Sequence, residues 1–138
     1  MLIDLKDKIT DNFYWYEALY QPKWLIHVLP DDGILQNIKL TAEKMEHLRT
    51  FFGNRPISVT SWFRCKRYNA EIQGAPGSLH TLGLACDFVI KGLDCYYVQQ
   101  ELIKAIEILQ PLRVELLPQS AGWVHIDLKR EGPRTFKP

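Results

Sequence analysis

The segment Trp123-Val124-His125-Ile126-Asp127-Leu128 sets an imidazole and a carboxylate two residues apart. Side chains alternate across a strand, so Val124, Ile126 and Leu128 share one face and Trp123, His125 and Asp127 the other. The first face reads as core. The second is a poor core and a good cleft. Leu84-Ala85-Cys86-Asp87-Phe88-Val89-Ile90 follows the same logic, with Leu84, Cys86, Phe88 and Ile90 together and Asp87 opposite them beside Ala85 and Val89. A carboxylate in the middle of a buried strand is costly unless it is paired or bound to metal. His80 lies shortly before it, in Ser78-Leu79-His80-Thr81-Leu82-Gly83, and a turn at Gly83 can fold the imidazole back beside Asp87.

Two imidazoles and one carboxylate with an open fourth position are the make-up of a catalytic zinc site, here His80, Asp87 and His125. Iron(II) oxygenases use the same ligand types. They usually begin with a His-x-Asp pair, and the only such pair here, His125 and Asp127, comes last, which ranks zinc above iron. Asp87 could instead be satisfied by backbone amides. His27 and His47 have no such company and read as surface or hydrogen-bonded residues.

The elements that must position these groups are legible in outline. Residues 1–33 are rich in aromatics, Phe13, Tyr14, Trp15, Tyr16, Tyr20 and Trp24 among them, and end in the turn signal Pro30-Asp31-Asp32-Gly33. These rings read as packing more than as a substrate groove. Leu35, Ile38, Ala42, Met45, Leu48 and Phe52 step by three and four and predict an amphipathic helix closed by Gly53. The β-branched and aromatic run from Ile57 to Phe63 predicts a strand, and a short helix fits residues 66–72. Gly74, Pro76 and Gly77 mark a loop before the Leu84–Ile90 strand. Asp94 is a fitting N-cap for a helix with Val98, Leu102, Ile106 and Leu109 on one face and Pro111 at its end. Leu112–Leu117 and Trp123–Leu128 predict two further strands. The expected fold is α+β, a small and mostly antiparallel sheet with helices packed on one face, in a single domain spanning residues 1–138.

The net charge of +1 gives no footprint for nucleic acid. Arg64, Lys66 and Arg67, and the tail from Lys129 to Lys137, make only local basic patches. Three cysteines, Cys65, Cys86 and Cys95, form no close pair of the kind structural zinc sites use, and their odd number argues against a complete disulfide framework. The N-terminus carries acidic residues where a signal peptide would have a cationic start, and no apolar run is long enough to span a membrane. Synthesis in the cytoplasm is therefore expected, with export, if any, by other means. A monomer is expected.

At these residues the chain resembles the zinc D-Ala-D-Ala metallopeptidases and their phage endolysin and hedgehog-domain relatives. The resemblance rests on Ser61-Trp62-Phe63-Arg64, Asn69, Gly74-Ala75, the block from Ser78 through His80 and Gly83 to Asp87, and Trp123-Val124-His125, in that order. It implies a hedgehog/DD-peptidase-like fold and zinc on His80, Asp87 and His125, activating water for attack on an amide. It also implies that Arg64 stabilises the developing oxyanion or grips a substrate carboxylate, and that Ser78 bonds substrate or supports the site. The partner implied is a peptidoglycan stem peptide.

One departure concerns the general base. Many such enzymes carry an acid three residues before the last ligand, where this chain has Gly122, and some carry a histidine at the position of Ser120. Glu115, on the preceding strand, is the first substitute. Asp127 is the second, although it could only orient a ligand. The expected function is hydrolysis of D-amino-acid peptide bonds in bacterial cell wall, as a carboxypeptidase or an endopeptidase. The alternative is a metal-holding binding module of low activity for cell-wall peptide or protein. A lone domain of this kind without an export signal would suit a phage or prophage lysis or tail protein.

Overall fold

The computed structural model describes residues 2–138. Two small antiparallel ribbons, β1 (Lys8–Thr10) with β2 (Phe13–Tyr14) and β3 (Tyr20–Gln21) with β4 (Ile26–His27), flank the one-turn helix α1 (Trp15–Leu19). The long helix α2 (Asp32–Phe51) leads to β5 (Ile57–Ser61), α3 (Lys66–Glu71), a 3-10 turn (Leu79–Leu82), β6 (Ala85–Ile90) and α4 (Cys95–Lys104). The chain ends through β7 (Arg113–Glu115), β8 (Val124–Asp127) and β9 (Thr135–Phe136). The main sheet runs β5-β6-β8-β7-β9, antiparallel except where β9 joins β7 in parallel. The fold is α+β, as the sequence predicts.

Binary patterning explains which face is dry. Cys86, Phe88 and Ile90 of β6, Val114 of β7 and Val124 and Ile126 of β8 are buried in one continuous core with Leu35, Ile38, Ala42, Met45 and Leu48 of α2 and Val98 and Leu102 of α4. The aromatics Phe13 and Trp15 join that core, and Phe13 meets the buried Trp62 edge-on at 5.9 Å. Packing is their role. Cys65, Cys86 and Cys95 are free thiols.

The strands expected over Ile57–Phe63 and Leu112–Leu117 shorten to Ile57–Ser61 and Arg113–Glu115, and two helix ends also differ from the sequence expectation. Asp31 does not close a loop but caps α2, its Oδ1 accepting from the Ile34 amide at 2.9 Å, so Asp32 and Gly33 form the first helical turn. Helix α4, capped as expected by Asp94, ends at Lys104, and the chain reaches the cis Gln110-Pro111 bond through turns. There the buried Lys44 ammonium donates to the carbonyls of Leu109 and Gln110 at 2.7 and 3.2 Å, a tertiary anchor that the apolar periodicity of residues 98–109 does not reveal. Among the described residues no helix is long and apolar enough to cross a membrane.

Candidate metal centre

The face of the sheet opposite the core carries the chemistry. Pairing of β6 with β8 sets Asp87 directly across from His125, and pairing of β7 with β8 sets Arg113 across from Asp127. Glu115 follows two residues after Arg113 and so shares its face. An irregularity in β5 between Val59 and Ser61 brings Ser61 opposite Asp87 on the other side.

His80 arrives from the 3-10 turn. Ser78 starts that turn, its Oγ accepting from the His80 amide at 3.2 Å, and Gly83 ends it with φ +75°. Only glycine suits that position, because a Cβ there would also meet Cγ1 of Ile38 at 2.8 Å. Thr41 of α2 holds the turn by donating to the Gly83 carbonyl at 2.8 Å.

His80, Asp87 and His125 are all buried, and each offers a ligand atom within 4.8 Å of the others, the only such grouping among the described residues. The carbonyl of Trp62 lies 2.6 Å from His80 Nδ1 and accepts its N–H, which leaves the Nε2 lone pair facing Asp87 Oδ1 at 3.2 Å. His125 presents Nδ1 to the same Oδ1 at 2.7 Å, while its Nε2 lies 3.2 Å from Asp127 Oδ2. Each imidazole therefore has one nitrogen tied to an outer partner and the other turned toward Asp87. That donor set, two nitrogens and a carboxylate oxygen converging from separate elements, fits zinc.

The buried carboxylates and imidazoles set one another's charge. Burial would raise the Asp87 pKa, but the field of His80 and hydrogen bonds from His125 and His80 hold it well below the usual carboxylate range. Burial would likewise lower that of His125, yet hydrogen bonds to Asp127 and Asp87 and the charges of Asp87 and Glu115 raise it to about 9. Asp127 is held low against its own burial by hydrogen bonds from His125 and Arg113 and by their charges.

These groups line a cleft of about 770 Å³, bounded also by Arg64, Ser78, Glu115, Trp123 and Phe136. Glu115 Oε2 stands 3.6 Å from His125 Nδ1, on the side where the three ligand atoms converge. Asp127, by contrast, is bonded to His125 Nε2 and gripped by Arg113 through Nε to Oδ1 at 2.9 Å and Nη2 to Oδ2 at 2.7 Å. Arg64 donates from Nη2 to Asp87 Oδ2 at 3.1 Å and from Nε to Ser61 Oγ at 3.0 Å. A second cavity of about 760 Å³ lies between α2 and the Ile108–Pro111 turn. It contains His47 but no grouping of metal ligands.

A family model described as peptidase M15 matches residues 26–127. The chain belongs to the peptidase M15 family. Membership carries the metallopeptidase class and its zinc dependence, and the matched span includes His80, Asp87 and His125 as well as Arg64, Ser78, Glu115 and Asp127. No individually curated protein matches the chain significantly.

The M15 match also spans the prop beneath Arg64. Asn69, buried on α3, donates to the Ala75 carbonyl at 2.9 Å and meets Arg64 Nη1 at 3.4 Å, while the Gly74 amide donates back to the Asn69 carbonyl at 2.8 Å. A Cβ at position 74 would sit 2.0 Å from Asn69 Oδ1. The amide cannot swing aside without giving up these bonds. Gly74→Ala is therefore expected to cost about 1–3 kcal/mol and to loosen Arg64, read as a lower urea midpoint with a raised KM.

Proton linkage follows from the His125 environment. In the metal-free M15 domain, this histidine's contribution to stability is complete below about pH 6.5 and fades as pH rises through about 9. That of Asp87 is complete above about pH 3.8 and is lost in stronger acid. A zinc ion held through His125 Nδ1 would have to displace its proton, so zinc affinity is expected to rise about tenfold per pH unit below about pH 9. Competition with a chromophoric chelator at several pH values measures it. A flat profile would mean that no proton is displaced.

Sequence reasoning singled out His80, Asp87, His125, Arg64, Ser78, Glu115 and Asp127, which all line this cleft, but not Arg113 and Phe136, which line it too. The alternation that found His125 applies equally to Arg113, a cation between the apolar Leu112 and Val114 on an expected strand. Phe136 carries no signal of that kind.

Proposed function

We propose that this chain is a zinc peptidase that hydrolyses D-amino-acid-containing peptide bonds of bacterial peptidoglycan, with His80, Asp87 and His125 as metal ligands and Glu115 as general base. The observation that supports it most is the convergence of two imidazoles and a carboxylate in a cleft whose wall carries a second carboxylate, Glu115, 3.6 Å from a ligand nitrogen. A zinc ion held there supplies a Lewis acid and makes a water deprotonate near neutral pH. Glu115 Oε2 takes the proton of the attacking water and hands it to the leaving amine. Its position on β7 supplies the acid that Gly122 lacks. Arg64 faces the cleft with N–H groups beyond those given to Asp87, Asn69 and Ser61, and these bind the carbonyl oxygen or a terminal carboxylate of the substrate. Ser78 caps the ligand-bearing turn and borders the peptide. Asp127 is saturated by Arg113 and His125 and serves orientation, not proton transfer.

Digestion of purified peptidoglycan by the zinc-loaded protein tests the reading, with products identified by mass spectrometry and His80→Ala as control. Release of D-alanine, or cleavage of cross-links, lost in the variant, would support the peptidase and name its bond. Stoichiometric zinc with no product would favour a metal-holding binding module instead.

A further inference from the structure

We infer that Arg113 and Phe136 are positioning residues for His125, acting with Asp127 as a brace that aims its Nδ1 into the metal site. The inference rests on the proposed role of His125 as a ligand and extends to two residues that the ligand motif does not contain. Phe136 lies outside residues 26–127, the span that matches the family.

Two contacts close on the His125 ring, and Arg113 stands behind both. Asp127 Oδ2 accepts at 3.2 Å from His125 Nε2, which fixes where that nitrogen keeps its proton and frees Nδ1 for the metal. Asp127 cannot turn away, because Arg113 grips both of its oxygens and the Lys129 amide donates to Oδ1 at 3.2 Å. Phe136 packs against the imidazole with ring centres 5.7 Å apart and planes at 81°, which restrains rotation of the ring about its bond to Cβ. The Phe136 ring also carries the Arg113 guanidinium over its face, with Cζ 3.8 Å from the ring centre. One hydrogen bond thus sets the direction of the imidazole, one edge-on ring contact sets its tilt, and Arg113 supports the partner in each. The parallel pairing of β9 with β7 supplies Phe136 at this point, with Glu115 and Phe136 in register.

A buried ion pair is weak evidence of stability by itself, since desolvation cancels much of the attraction. Asp127 is only 1% exposed, and Arg113 spends its fork on it at the edge of a cleft. A buried carboxylate gripped by a half-buried guanidinium beside a proposed ligand is better explained by the orientation the pair imposes than by stability.

Zinc affinity, measured without substrate on the full chain by competition with a chelator, separates the brace from the peptidase reading. Asp127→Asn and Arg113→Gln are expected to weaken zinc about 10–100-fold, the usual range for outer partners of metal ligands. Arg113→Lys, which keeps charge but not the two-pronged grip, should recover only part of the loss. Phe136→Leu, the mildest change, should weaken zinc several-fold while the metal-free protein keeps its circular dichroism and urea midpoint. Unchanged zinc affinity in Phe136→Leu and Arg113→Lys, even with lowered urea midpoints, would reduce the brace to a structural contact and overturn the inference. A wild-type protein that binds no zinc would overturn it together with the proposed ligand set. A zinc-loaded wild type that cleaves nothing would leave the brace standing and defeat only the peptidase reading.

Discussion

An Asp87→Asn protein is expected to lose zinc affinity by more than about 100-fold, because even outer-partner changes cost 10–100-fold and this change strikes a proposed ligand directly. Hydrolysis should fall with it by on the order of 10³-fold or more, the metal supplying several kcal/mol of charge stabilisation. The geometry makes the loss hard to compensate. Asp87 Oδ1 lies 3.2 Å from His80 Nε2 and 2.7 Å from His125 Nδ1, and Oδ2 accepts from Arg64. An amide has one acceptor for these donors and turns its own N–H groups toward one of them. The metal-free variant should also lose the stability that Asp87 contributes above about pH 3.8, since Arg64 and the His125 imidazolium remain around a neutral side chain. If Asp87→Asn fails to fold, His80→Ala gives the same reading by a gentler route, because it removes one ligand and leaves only the Trp62 carbonyl without its donor. Metal content by atomic absorption and cleavage of a stem-peptide substrate decide the matter. Either variant at full zinc stoichiometry and full rate would remove the ligand assignment.

How far the site can be read from sequence depends on the range of the interaction that builds it. Period-two alternation is local, and it correctly separates Asp87 from Cys86 and Phe88, and His125 from Val124 and Ile126, because each strand buries one face whatever its neighbour is. Helix α2 is equally local, with Asp31 as its cap, although a cap of the type Asp-Asp-Gly looks the same as a turn until the helix behind it is seen. What alternation cannot supply is register. The pairing of Arg113 with Asp127 occupies one candidate base and turns Glu115 toward the ligands, and no property of either short strand specifies that pairing. The contribution of β9 is further still from view. Two residues make a strand there only because β7 offers an edge, and Phe136 reaches His125 through that pairing. Helix α4 stops early for a related reason, as Lys44 of α2 captures the carbonyls of Leu109 and Gln110 from outside the segment.

Glu115→Gln is expected to lower kcat by about 10²–10⁴-fold, the range of a positioned acid–base group, while zinc affinity stays within a few-fold of the parent. Glutamine keeps the shape of the cleft wall and removes only the ability to take a proton. Its effect on zinc is small because Glu115 approaches His125 Nδ1 at 3.6 Å, beyond hydrogen-bond contact, and makes no other bond to a ligand. Asp127→Asn should behave in the opposite way. Its oxygens are held by Arg113 and by His125, so the variant loses zinc first and recovers much of its rate when zinc is supplied in excess. The two variants therefore divide along kcat and metal affinity, and one set of rates measured over rising zinc concentration distinguishes them. A Glu115→Gln enzyme near full kcat, beside an Asp127→Asn enzyme that stays inactive at saturating zinc, would transfer the role of base to Asp127. For that result to hold, the Arg113 grip would have to open during turnover, since an acid–base group needs a free oxygen facing the water it deprotonates. The doubly bonded Asp127 has none to spare, whereas Glu115 is half-buried on the cleft wall.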